Sequence, residues 1–171
     1  MIRSGEKIPG VSIWCIKEKF SGEINSSDLF CDGLSILFTL PGAFTPTCSN
    51  FHAPGYLKNA QTFRNLGVKR IVCASVNDKY VMDAWAKSLG AIGEIDFLAD
   101  FDGRFANALG LVQDLGAGGL GNRFMRSAMI IEQGKVINLF IDEAGGQTSN
   151  TGALHLIDVL GAGSVENISA V

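Results

Sequence analysis

Hydrophobic and polar positions along the chain follow two periods. Residues 11–16, Val11-Ser12-Ile13-Trp14-Cys15-Ile16, alternate and predict a strand. Residues 19–31 are polar and predict a loop and turn. Residues 34–40 and 70–76 are largely apolar short runs, as expected of buried strands. Between them, 56–66 has a helical period stopped at Gly67, and 80–89 repeats the pattern up to Gly90. Pro54 should kink the first of these helices or set a short first turn apart from its body. Residues 96–99 predict a short strand, and 104–109 a turn or two of helix ended by Gly110. Two strands, 127–131 and 136–141, meet through Gly134 as a hairpin. A helix over 151–160 closes the pattern, and 161–171 reads as a polar tail. The early strand–helix alternation argues for parallel βα units, and the late hairpin makes the sheet mixed. One α/β domain over residues 1–171 is expected.

Composition narrows the classes. The chain has 171 residues, is 47% hydrophobic and 18% charged, and carries a net charge of −3. That supports one globular core and shows no basic stripe to track nucleic-acid phosphates. No apolar run reaches membrane-spanning length. Cys15, Cys31, Cys48 and Cys73 include no Cys-x-x-Cys, and His52 and His155 lie far apart, so no zinc site is expected. Residues 1–9 contain no apolar signal segment, which points to a cytoplasmic protein with free thiols. In that compartment the Asn-x-Ser sequons at Asn25 and Asn167 have no consequence. Gly116-Ala117-Gly118-Gly119-Leu120-Gly121 fits a dinucleotide fingerprint, but a strand follows where a helix is required, so it predicts only a glycine loop.

The chemistry concentrates in Pro41-Gly42-Ala43-Phe44-Thr45-Pro46-Thr47-Cys48. A buried strand leads into a proline-stiffened turn that delivers a cysteine to the first turn of a helix. Thiols so placed ionise at pKa values of roughly 3.5–7.5, and the thiolate is the nucleophile. Thr45 supplies a hydroxyl that both donates and accepts. Nucleophilic displacement by sulfur needs an ionised thiolate, alignment with the bond to be broken, and donors for the departing charge. Cys15 and Cys73 lie in apolar strands, where cysteines are ordinarily inert core residues. Trp85, Phe97, Phe101 and Phe105 also read as core. His52 reads as a packing or capping residue, with a base near the thiol as the alternative, and His155 as a helix-face residue without chemistry.

Pro41-x-x-x-Thr45-x-x-Cys48 resembles the active-site signature of the peroxiredoxins. The fuller wording, with Ser49, His52 and Pro54-Gly55, is similar to their type-V subfamily, which includes the plant and bacterial type-II enzymes. So are Val76-Asn77-Asp78, Met82, Ala84-Trp85, Ala99-Asp100, and Arg126 ahead of the 127–131 strand. The resemblance covers roughly residues 6–160. It implies a thioredoxin-like fold, a central mixed sheet flanked by helices. It further implies reduction of hydrogen peroxide and organic hydroperoxides, with Cys48 as peroxidatic nucleophile, Thr45 and Arg126 holding sulfur and peroxide, and Pro41 shielding the thiolate. Gly42, Phe44 and Thr47 would line the substrate pocket, beside the 116–121 loop. Arg123 is the nearest competitor to Arg126. A homodimer packed edge to edge near the active sites is also implied.

One family feature is missing. Residues 145–151, where some members carry a resolving cysteine, contain none. Cys73 matches a second cysteine of the plant enzymes and is the remaining internal candidate; Cys15 and Cys31 match nothing recognised. A one-cysteine cycle follows, with the sulfenic acid reduced by an external thiol, glutathione with glutaredoxin first and thioredoxin second. No metal, flavin or haem is required, because sulfur carries the redox change. The alternative is a peroxide sensor or redox relay passing oxidation to a partner protein. A disulfide reductase of the thioredoxin type would need Cys-x-x-Cys, whereas Ser49-Asn50-Phe51 follows Cys48.

Overall fold

The computed structural model describes residues 1–142 and 146–166. Its centre is a seven-stranded sheet in the order β2-β1-β5-β4-β3-β8-β9. The parallel core is β3 (Leu34–Thr39), β4 (Val68–Ser75) and β5 (Asp96–Ala99). On one side, β1 (Ser12–Lys17) runs antiparallel to β5 and carries the edge strand β2 (Phe20–Asn25). On the other, β8 (Ser127–Glu132) runs antiparallel to β3 and carries β9 (Lys135–Ile141). This is the thioredoxin-like arrangement, mixed sheet and flanking helices included.

Side-chain alternation splits the core into two layers. Ile36 and Phe38 of β3, Leu40 just past its end, Ile71 and Cys73 of β4, and Ala128 and Ile130 of β8 face one side. There they meet α2 (Ala53–Lys58), α3 (Ala60–Asn65), α4 (Lys79–Ser88) and α6 (Ala153–Glu166) through Tyr56, Phe63, Trp85 and Leu156. Leu37, Val72, Ala74 and Met129 face the other side. They pack on α1 (Ser26–Leu29), α5 (Arg104–Leu109), and Phe124 of a small hairpin, β6 (Val112–Asp114) with β7 (Asn122–Phe124). Strands buried on both faces explain why β3 and β4 read as nearly continuous apolar runs.

Several expectations are corrected. Residues 19–31 are not loop throughout: they hold β2 and α1, whose N-cap Asn25 accepts from the Ser27 N–H. The helix expected over 56–66 breaks at Asn59, whose side-chain amide donates to the Gly55 carbonyl while its backbone leaves helical angles (φ −102°, ψ 9°). Pro54 does separate a first stretch, because helical backbone begins at Pro46 and passes through a π turn, Cys48–His52, before α2. The segment expected as a tail from residue 161 is still helical through Glu166. Phe101 is 64% exposed rather than core. The 116–121 glycine run tips the β6–β7 hairpin with a short 3-10 turn, Gly116–Gly118. No helix among the described residues is long and apolar enough to cross a membrane.

Candidate active site

The site forms where β3 ends and the helical segment begins. The loop between them is tied down from three directions. The Ala43 N–H donates to Asn77 Oδ1 (3.0 Å), which also accepts from Ser75 Oγ (2.8 Å). Arg123 Nη1 donates to the carbonyls of Val76 (2.9 Å) and Pro41 (3.3 Å), while its Nε holds the Leu120 carbonyl (2.7 Å). Arg123 therefore clamps the 116–121 hairpin tip to the Pro41 turn rather than reaching the sulfur. Thr45 Oγ1 donates to the Gly42 carbonyl (2.8 Å). Gly42 is buried, and a Cβ there would stand 3.2 Å from both Arg123 Nη1 and Thr45 Cγ2. Phe44 sits at φ 59°, left-handed backbone that costs a bulky residue on the order of 1 kcal/mol. The surrounding bonds hold it there, with its ring 58% exposed.

Cys48 opens the π turn and is 1% exposed. The Ala53 N–H closes that turn on the Cys48 carbonyl. Pro54, next in line, has no N–H to donate, which helps explain the widened turn at this point. Arg126 enters from the start of β8, itself 6% exposed, and aims Nη1 and Nη2 at Cys48 Sγ, each 3.6 Å away. Among the described residues no carboxylate pairs with Arg126. A buried cation demands an anion or strong acceptors. The groups it faces are the Cys48 sulfur and the His52 ring, whose Nδ1 lies 3.1 Å from Nη1.

His52 is buried too. Burial, with Arg126 adjacent, lowers its pKa from the ordinary 6.5 to about 4, the Thr151 carbonyl opposing. The unfolded chain therefore takes up a proton between about pH 6.5 and 4 that the native ring refuses. Stability from this residue is complete above that window and falls as pH falls through it, by on the order of 3 kcal/mol. Urea unfolding on either side of the window should show this loss in the wild type and lack it in His52→Gln.

The expected residues thus separate. Cys48 and Arg126 come together, Thr45 braces the loop beside them, and Pro41 lends its carbonyl to Arg123. Thr47 is half-buried, and a Cβ at Gly146 would stand 3.8 Å from its Oγ1. Phe44 points outward, and a cleft of about 490 Å³ lined by Phe51, Lys58, Thr148, Leu154 and His155 opens between the helical segment and α6, not over Phe44 and the 116–121 loop. Cys73 is fully buried in the same core layer as Cys48; burial first, and Cys48 second, push its thiol well above the ordinary range. Cys15 is raised to about 12, mainly by burial, and Cys31 alone among the four is exposed. Asp142 and Thr151 were not marked by the sequence, and Asn77 only as part of the resemblance, with no role. The signal available was the Ser149-Asn150-Thr151 run just before a helix, where capping residues gather. Among the described residues no group of His, Cys, Asp and Glu is arranged to hold a metal.

The Redoxin family model matches residues 3–154. Peroxiredoxin-2F, mitochondrial, of Arabidopsis thaliana is 40% identical over 152 residues, covering 85% of this chain and 75% of the relative. Peroxiredoxin-2E, chloroplastic, of the same plant is 39% identical over 166 residues, 93% of this chain and 69% of the relative. Reduced Prx3 of Vibrio vulnificus in complex with hydrogen peroxide superposes with a TM-score of 0.87 at 38% identity, over 94% of this chain and 99% of that one. The mitochondrial and chloroplastic relatives overturn the expectation of a cytoplasmic protein, since free thiols need a reducing compartment and not that one in particular. Sequence and fold converge on one conclusion: the chain belongs to the peroxiredoxins, thiol-dependent peroxidases of the Redoxin family.

Proposed function

We propose that Cys48 is the peroxidatic nucleophile of a one-cysteine cycle whose sulfenic acid is reduced by glutathione with glutaredoxin, or by thioredoxin. The observation that carries this reading is the Arg126 fork on the buried Cys48 sulfur, both nitrogens at 3.6 Å. The thiolate attacks the terminal oxygen of a hydroperoxide, the S–O bond forms, and the O–O bond breaks. The leaving alkoxide or hydroxide takes a proton to become alcohol or water. Arg126 stabilises charge as it moves from sulfur toward the departing oxygen. Thr45 has its own proton committed to Gly42, so its lone pairs face substrate as an acceptor for the peroxide O–H. Pro41 and Gly42 shape the wall on the β3 side, and Thr47 with Phe44 borders the approach. The bound hydrogen peroxide of the Vibrio protein supports the substrate class.

An external thiol then attacks the sulfenic sulfur and releases water, and a second thiol regenerates Cys48. Because Cys48 is 1% exposed, a small thiol reaches it more readily than a folded protein does, which favours glutathione as the first attacker. Steady-state turnover with glutathione and glutaredoxin, set against turnover with thioredoxin, tests the choice. Turnover with neither, together with mixed disulfides to other proteins, would favour the relay. Cys73 takes no part in this cycle, since a buried strand thiol held neutral is a poor resolver. Cys73→Ser should leave turnover within about twofold of wild type with either reductant.

The homodimer is proposed on a separate observation. Phe44, Tyr80 and Phe101, at 58%, 76% and 64% exposure, follow β3, β4 and β5 and so stand at one end of the parallel strands. A second copy covering them accounts for large apolar rings left in solvent. Phe101→Glu should shift sedimentation from dimer to monomer; a wild type that sediments as a monomer would end this proposal.

A further inference from the structure

We infer that His52 is a positioning residue for Arg126, and that the turn before α6 fixes it through the Thr151 carbonyl; this rests on Cys48 being the reactive thiol. The hydrogen bonds determine the ring's tautomer. Tyr56 Oη donates to the Thr151 carbonyl (2.5 Å), and His52 Nε2 lies 3.0 Å from the same oxygen. A carbonyl only accepts, so Nε2 carries the proton. Nδ1 is then a bare lone pair, and it points at Arg126 Nη1 (3.1 Å). One Nη1 proton goes to the imidazole, leaving the other, with one from Nη2, for sulfur.

The next layer is equally committed. Asp142 Oδ2 accepts from the Thr151 N–H (3.1 Å) and Oγ1 (2.6 Å), and Oδ1 from the Asn150 N–H (3.0 Å) and Ser149 Oγ (3.2 Å). The Asp142 N–H returns to the Arg126 carbonyl (3.1 Å). The chain of bonds therefore starts and ends on Arg126. Phe38, edge-on at 5.3 Å, and Tyr56, at 5.7 Å, wall in the imidazole so that it cannot turn. Without the Nδ1 lone pair, a buried guanidinium proton loses its acceptor and the fork is free to swing off the sulfur. Misplacement of that kind, by about 1 Å, can cost roughly a hundredfold in rate.

The test pairs His52→Phe, which fills the aromatic space without either nitrogen, with His52→Gln, whose amide can both accept and donate. In His52→Phe the pH midpoint for Cys48 alkylation should move upward, and kcat/KM for peroxide should fall by about 10- to 100-fold. His52→Gln should recover a large part of both. Histidine nitrogen spectra of the unaltered protein, which has only two histidines to assign, should show His52 protonated at Nε2. A Nδ1-protonated ring would overturn the inference even if His52→Phe failed to fold. So would an alkylation curve and kcat/KM in His52→Phe within about twofold of wild type. Alkylation requires no peroxide. A wild type that alkylates as a thiolate but consumes no peroxide would therefore end the peroxidase reading, and the alkylation curve would still decide the role of His52.

Discussion

Cys48→Ser is expected to abolish peroxide turnover, lowering kcat/KM by about 10⁴-fold or more. Serine preserves size and polarity, so the π turn and the core around it should survive, with stability changed by about 1 kcal/mol. What disappears is the polarisable sulfur that the proposed reaction needs. A hydroxyl beside Arg126 stays protonated at neutral pH and does not displace at a peroxide oxygen. Cys31 remains exposed in the variant, but no guanidinium fork is placed on it, and Cys15 and Cys73 are shut in the core. The residual rate should therefore be that of an ordinary surface thiol. Peroxide consumption with excess reductant, wild type against variant, measures the difference, and circular dichroism confirms that both are folded.

The second large effect is at Arg126. Arg126→Gln should cost about 10²–10³ in kcat/KM, the usual cost of removing a donor aimed at developing charge. Two contacts to sulfur and one to His52 are lost together. Arg126→Lys separates charge from geometry. An ammonium supplies the cation, but a single point charge cannot hold sulfur with two parallel donors and His52 with a third. Its activity should fall between wild type and Arg126→Gln, at least about tenfold below wild type. A lysine variant with full activity would mean that charge alone suffices and that the fork has no special role.

The sequence and the structure agree best where burial is symmetric. β3, β4 and β8 are covered on both faces, so their apolar runs could be read directly, as could Gly67, Gly90 and Gly110 at helix ends with φ of +85°, +65° and +66°. Reading failed where an element gains little from burial. β2 is an edge strand largely in solvent, Phe20-Ser21-Gly22-Glu23-Ile24-Asn25, whose apolar residues, Phe20 and Ile24, are too few to stand out against the polar ones. The three-residue strands of the β6–β7 hairpin are too short for any period. Helix α6 runs through Gly161 and Ala162, which lack the bulk to advertise a helix.

The same distinction holds in the site. Cys48, Thr45 and Pro41 lie within eight residues and form a local pattern. Arg126 is 78 residues from Cys48, and only the antiparallel pairing of β8 on β3 brings it to the sulfur. His52 was visible as a residue, but its task depends on Thr151, 99 residues further on. No spacing rule could supply that bond. Exposed Phe101 marks the opposite failure, since hydrophobic residues are expected inside until something shows that they are not.

The most direct measurement is intact mass with peptide mapping after one equivalent of hydrogen peroxide, without reductant. The account predicts a gain of one oxygen atom, on the peptide carrying Cys48. An unmodified Cys48, with the oxygen found on Cys31 or a methionine instead, would contradict it.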